Sequence, residues 1–143
     1  MNILIAEDNF LNQKIIGVLI KRMGWACRIV NDGVEAVEEY MKGGYDVILM
    51  DIDMPRMDGF EATSIIRRHN VDIPIIAITA YTENVVREKS IKVGMNHFLA
   101  KPYDKVLIYD TIMKCVDKAK VAWQTLVYKH PFFLHPFSRY WNS

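Results

Sequence analysis

Glu7, Asp8, Asp51, Thr79 and Lys101 are the residues whose types and spacing could do chemistry together. Each group stands directly after a short apolar run: NILIA before Glu7, YDVILM before Asp51, IPIIAI before Thr79 and HFLA before Lys101. An aspartate placed like Asp51 can be a metal ligand, a nucleophile, or both. Brought together, the carboxylates of Glu7, Asp8 and Asp51 would repel one another, and an uncompensated cluster is destabilising. The usual relief is a hard divalent cation bound through oxygen. Mg²⁺ (or Mn²⁺) suits the set better than a soft metal, because no His or Cys lies nearby in the sequence. Mg²⁺ takes one or two carboxylates, several waters and a phosphate oxygen, which leaves room for a phosphoryl group. A Thr hydroxyl and a Lys ammonium on the same edge are suited to holding phosphoryl oxygens, one by hydrogen bond and the other as a point charge. Carboxylate, cation, hydroxyl and ammonium together meet the requirements for phosphoryl transfer to an aspartate, giving an acyl phosphate.

The elements that must position these residues are strands. Tyr45–Met50 and Ile73–Ile78 are continuous apolar runs, the signature of strands covered on both faces. Pro74 is tolerable there only near the start. Asn2–Ala6, Ala26–Val30 and His97–Ala100 read as three more short strands. Between them lie helical patterns. Phe10–Met23 places Leu11, Ile15, Ile16, Val18, Leu19 and Met23 at helical spacing, with Gly24 as a stop. Asp32 starts a helix to about Lys42, with Glu35 as capping-box partner and Gly43-Gly44 ending it. Asp58–Arg68 reads as a helix packing Phe60, Ile65 and Ile66, with Asp58 as its N-cap. Thr82 caps a helix to Val93 closed by Gly94, and Asp104 opens a last helix with Val106, Tyr109, Ile112, Met113 and Val116 on one side. Alternation of this kind predicts an α/β fold: a single doubly wound five-stranded parallel sheet with right-handed crossovers and helices on both faces. In the flavodoxin-like order 2-1-3-4-5, strands one and three are neighbours at the switch point. Glu7, Asp8 and Asp51 then meet at the carboxyl ends of those strands, where open sheets bind ligands.

A length of 143 residues suits one domain, and a net charge of +1 argues against a dedicated polyanion binder. Cys27 and Cys115 sit in apolar segments without metal-ligand spacing, which predicts two buried free thiols. Met1 leads almost directly into the first strand, and no apolar run reaches the ~18 residues of a membrane span. The expectation is a soluble protein in a reducing compartment. His69 and His97 lack partners at catalytic spacing and read as non-functional.

On these residues the sequence resembles the response-regulator receiver domain family. Glu7-Asp8 matches the acidic pair, Asp51 the phospho-acceptor, Thr79 the switch hydroxyl, and Lys101 the lysine that precedes a proline, here Pro102. The DxxMPxxDG signature is present as Asp51, Met54, Pro55, Asp58 and Gly59, and the resemblance spans residues 1 to about 119. The stretch EDNFLNQK is similar to receivers attached to hybrid sensor histidine kinases. The resemblance implies that Asp51 takes phosphate from a phosphohistidine donor and relays it to a histidine-phosphotransfer domain. It also implies that the backbone carbonyl of Asp53 completes the metal shell, and that Phe98 is an aromatic switch following Thr79. The output surface would be helix four, strand five and helix five. Glu7 stands where Asp is more frequent and should act on the metal through water. The Asp53 side chain would border the phosphoryl group; with Tyr81 it marks where phosphoryl lifetime would be altered. The implied partners are a histidine kinase or a histidine-phosphotransfer domain. No nucleic acid or membrane contact by this domain is expected; the chain is expected to be a cytoplasmic monomer or weak homodimer, either stand-alone or the cytosolic part of a membrane-bound hybrid kinase. Self-phosphorylation and self-dephosphorylation are implied, but not turnover as a stand-alone enzyme.

Two other functions compete. The pair Asp51 and Asp53 also fits the Asp-x-Asp of a haloacid-dehalogenase-type phosphatase, but that family carries it on the first strand and usually has a cap domain. A pseudo-receiver working unphosphorylated would not need the complete set of site residues present here. From Lys118 to Ser143 there is no acidic residue, and Trp123, Tyr128, Phe132, Phe133, Phe137, Tyr140 and Trp141 make the segment aromatic. Ala119, Trp123, Leu126 and Val127 continue the spacing of the last helix to about Tyr128, with Pro131 ending it. Residues 120–143 are thus a helix extension and an aromatic basic tail of open role.

Overall fold

The computed structural model describes the backbone of residues 1–129 and the side chains of residues 1–117; the expected tail beyond Lys129 lies outside the described residues. Five strands alternate with five helices: β1 (Asn2–Ala6), α1 (Phe10–Arg22), β2 (Ala26–Val30), α2 (Gly33–Met41), β3 (Val47–Asp51), α3 (Gly59–His69), β4 (Ile75–Thr79), α4 (Asn84–Val93), β5 (His97–Ala100) and α5 (Lys105–Lys129). The strands form one sheet in the order β2-β1-β3-β4-β5, every pairing parallel. That is the expected doubly wound architecture.

The period of two along each strand divides the core into two layers. Leu4, Ile48, Met50, Ile75 and Ala77 pack with Ala62 and Ile66 under α2, α3 and α4. Ile3, Ile5, Val47, Leu49, Ile76 and Ile78 pack with Ile16, Ile20, Ile108, Ile112 and Cys115 under α1 and α5. All these side chains are buried, and each fully covered Ile or Leu contributes about 1.5–3 kcal/mol. β1, β3 and β4 are covered on both sides and therefore read as unbroken apolar runs, whereas the edge strand β2 alternates.

Several boundaries and faces differ from expectation. β3 starts at Val47 and includes Asp51, so the aspartate is the last strand residue rather than the first of a loop. β4 likewise ends with Thr79 inside the strand. Leu11, Ile15 and Val18 are exposed, and α1 buries Ile16, Gly17 and Ile20 instead. Helical spacing alone does not say which of two apolar stripes meets the sheet. In α5, Val106 and Tyr109 are exposed while Ile108 and Ile112 are buried. In α3, Ile66 is the fully buried anchor. Glu83 rather than Thr82 is the N-cap of α4, with no side-chain capping bond, whereas Asp58 and Asp32 cap α3 and α2 as expected. Cys27 is only half-buried because β2 is an edge; Cys115 is buried. No helix among the described residues is long and apolar enough to cross a membrane.

Candidate functional site

Sheet register brings the predicted residues to one edge. Ala6 pairs with Met50, so Glu7 and Asp51 follow side by side on neighbouring strands. Asp51 pairs with Ile78, and Thr79 with Ala100, which sets Thr79 and Lys101 on the same rim. Strand alternation also sorts them by face. Glu7, Asp51 and Lys101 continue the parity of Ile5, Leu49 and Leu99, whereas Thr79 continues that of Ala77 and shares its face with Phe98.

The carboxylates of Glu7, Asp8 and Asp51 each offer an oxygen within 4.8 Å of the others. Glu7 is wholly buried, Asp51 nearly so, and Asp8 exposed. Lys101 lies across the two buried acids: its Nζ donates to Oε2 of Glu7 at 2.6 Å and to Oδ2 of Asp51 at 2.8 Å. Burial works against the Lys101 ammonium, but the hydrogen bonds to Asp51 and Glu7 outweigh it and hold its pKa above that of a free lysine. For Asp51, burial is the largest influence; with the Glu7 charge added, and against the Lys101 hydrogen bond, it pushes the carboxyl up to about 6. Asp51 therefore stays mostly ionised at neutral pH. Burial likewise pushes the phenol of Tyr103, beyond Lys101, up to about 12.

One lysine cannot neutralise three carboxylates, and an all-oxygen set with an exposed member open to water fits Mg²⁺ or Mn²⁺. Asp53, whose main chain was expected to complete the shell, lies close by: its N–H donates to Oδ1 of Asp51 at 3.2 Å. Gly59 explains the tightness of the β3–α3 loop. A Cβ there would sit 2.1 Å from the carbonyl oxygen of Asp51, so only glycine lets the loop fold back on its own strand. The Thr79 hydroxyl is wholly buried and accepts from the Tyr81 N–H at 3.1 Å. Tyr81 is half-exposed, with its hydroxyl 3.4 Å from Oδ2 of Asp53, a long approach at the mouth of the site. Phe98 is half-buried beneath α4, with the Arg87 guanidinium 5.1 Å above its ring.

The motif EDNFLNQK acquires a local reason. Asn9 caps α1 by accepting from the Asn12 N–H, and the Gln13 amide donates to the Glu7 carbonyl at 2.6 Å. Sequence reasoning passed over Gln13, Asn31, Arg56 and Arg87. Gln13 carried a signal in its motif; Arg56 and Arg87 carried none, because their partners lie elsewhere along the chain, and Asn31, though four residues from Glu35, meets Gln13 across 18 residues.

Residues 3–114 match the response regulator receiver domain family. Hybrid signal transduction histidine kinase B of Dictyostelium discoideum is 44% identical over 113 residues, covering 70% of this chain and 6% of that protein. Sensor histidine kinase RcsC of Escherichia coli K12 is 29% identical over 120 residues, covering 84% of this chain and 13% of that protein. The chain thus spans a small part of the curated relatives it matches. Among solved structures, the receiver domain of a sensor histidine kinase from Pseudomonas aeruginosa PAO1 has a magnesium ion coordinated in its active-site cleft. It is 36% identical with a TM-score of 0.77, over 81% of this chain and 97% of that one. A chemotaxis protein of Vibrio cholerae is 25% identical with a TM-score of 0.76, over 80% and 97%. Sequence, sheet order and site geometry agree, and the chain belongs to the response regulator receiver domain family.

Proposed function

We propose that this receiver accepts a phosphoryl group on Asp51 from a phosphohistidine donor and passes it on to a histidine-phosphotransfer domain. The observation that carries the reading is the Glu7–Asp8–Asp51 cluster with the Lys101 ammonium seated between its buried members. Glu7, Asp8, Asp51 and the backbone carbonyl of Asp53 would hold Mg²⁺, which supplies charge neutralisation for the incoming phosphoryl oxygens. Ionised Asp51 forms the new P–O bond through a carboxylate oxygen. The P–N bond to the donor imidazole breaks, and its electron pair returns to the ring nitrogen. Lys101 then shifts from pairing two acids to holding a phosphoryl oxygen, while the Thr79 hydroxyl, whose oxygen accepts the Tyr81 N–H, donates its own O–H to another such oxygen.

Thr79 and Phe98 share one face of the sheet beneath α4. Movement of Thr79 toward the phosphoryl group opens space for Phe98 to turn inward, biasing the conformation of the α4–β5–α5 surface. Residues 1–119 form the receiver unit, with 120–143 as its extension. Its setting is the cytoplasm, as a stand-alone receiver or as the cytosolic part of a hybrid histidine kinase.

Intact-mass measurement after incubation with acetyl phosphate and Mg²⁺ tests the reading. A Mg²⁺-dependent gain of one phosphoryl group in the wild type, absent in Asp51→Asn, is expected. No gain, together with no response to a beryllofluoride titration, sinks it in favour of a pseudo-receiver.

A further inference from the structure

Outside the residues that would touch phosphate, a chain of polar contacts joins the three loops at this edge of the sheet. Arg56, in the β3–α3 loop, has φ of 63° and is the one non-glycine among the described residues in the left-handed region. A residue other than glycine persists there when its surroundings over-determine it, and such residues gather at functional sites. The Arg56 Nε donates to Oδ2 of Asp32 at 2.7 Å, and its Nη2 lies 3.9 Å from Oε1 of Glu35. Asp32 is buried, and its other oxygen accepts the Glu35 N–H at the start of α2. Burial disfavours its charge, but Arg56 and the Glu35 amide outweigh that and hold its pKa below the ordinary carboxylate value.

The contacts continue toward the acidic cluster. Oε2 of Glu35 accepts the Asn31 N–H at 2.7 Å and the Asn31 side-chain amide at 3.0 Å. Oδ1 of Asn31 accepts from the Gln13 amide at 2.9 Å, the same amide that donates to the Glu7 carbonyl at 2.6 Å. In parallel, the Gly33 N–H donates to the Met57 carbonyl at 3.0 Å, and a Cβ on Gly33 would lie 2.4 Å from that oxygen. One end of the belt is therefore fixed in the β3–α3 loop, three residues along the chain from Asp53, and the other on the backbone of Glu7.

We propose that Arg56 is a positioning residue for the divalent-cation site. Through Asp32, Glu35, Asn31 and Gln13 it holds the loops carrying Glu7, Asp8 and Asp53 at the spacing a cation requires. This rests on the metal reading above. Ligands spaced correctly before the ion arrives need no reorganisation to bind it, and loss of such outer partners costs about 10–100-fold in affinity. Arg56 acts through loop backbone and reaches the cation only indirectly.

Two substitutions separate positioning from folding. Arg56→Gly tolerates the left-handed backbone without strain, so it removes the belt and not the turn. Arg56→Lys keeps a cation within reach of Asp32. Titration calorimetry with Mg²⁺ should show the dissociation constant raised about tenfold or more in Arg56→Gly and largely restored in Arg56→Lys. Without metal, hydrogen exchange at the Gly33 amide should accelerate in Arg56→Gly and return toward wild type in Arg56→Lys. A folded Arg56→Gly protein that binds Mg²⁺ as tightly as wild type overturns the proposal. Wild type that binds no Mg²⁺ overturns the metal reading itself; Gly33 exchange then decides the belt, and an unchanged rate in Arg56→Gly removes it too.

Discussion

Replacing Asp51 with Asn should make the metal-free protein more stable at neutral pH, although it removes the proposed phosphoryl acceptor. Burial raises the Asp51 carboxyl from 3.8 to about 6, with the Lys101 hydrogen bond opposing and the Glu7 charge assisting. Because the folded-state pKa lies above the unfolded one, the folded protein retains a proton between those values that the unfolded chain has released. Stability therefore falls as pH rises through about 4 to 6. The shift, 6 − 3.8 or about 2.2 units, corresponds to about 3 kcal/mol at 1.36 kcal/mol per unit. That figure already includes the loss of the charged bond to Lys101, since it compares ionised with neutral acid in the same pocket. Asn imitates the neutral acid, with about 1 kcal/mol conceded to imperfect amide geometry. The expected gain is about 2–3 kcal/mol at pH 7.5, measured by urea unfolding in the presence of a chelator. At pH 5 the wild-type carboxyl is mostly protonated in the fold, and the difference should shrink by about half. Saturating Mg²⁺ should narrow it from the other side, stabilising wild type by about 2.7 kcal/mol at a hundredfold excess over the dissociation constant. An Asn variant no more stable than wild type at pH 7.5, or a gap indifferent to pH, would refute this account of the buried acids.

Gly59→Ala should destabilise the protein by about 3 kcal/mol or more, because the new Cβ meets the backbone of Asp51 and Ile52, which has no room to give. Urea unfolding checks this, and a variant as stable as wild type would show that the loop can lift away from β3. On the proposed phosphorylation of Asp51, Tyr81→Ala should shorten the life of the acyl phosphate several-fold, since the half-exposed ring, with its hydroxyl near Asp53, would screen that group from water. Decay of the phosphorylated mass after removal of acetyl phosphate measures it, and an unchanged rate would take Tyr81 out of the screening role.

Much of this molecule is determined locally. Doubly covered strands must be apolar throughout, so Val47–Met50 and Ile75–Ile78 announce themselves, and the residue after each run falls at the carboxyl edge whatever the helices do. Parallel strands with short crossovers leave few arrangements, and the acids at those ends could be assigned to one rim before any coordinate was known. Caps at Asp32 and Asp58 and the stop at Gly94 are also local, because each concerns a helix end and the few residues beside it. Tertiary structure alone decided the rest. Which apolar stripe of α1 faces the sheet depends on how that helix is docked, so Ile15 and Val18 are exposed although their spacing is sound. That Lys101 joins Glu7 to Asp51, 94 and 50 residues away, depends on sheet register. The Arg56–Asp32 pair, 24 residues apart, and the Arg87 guanidinium over the Phe98 ring have no sequence period to betray them. Hydrophobic patterning is written along the chain at the period of each element, whereas polar contacts between loops are made only once those elements have packed.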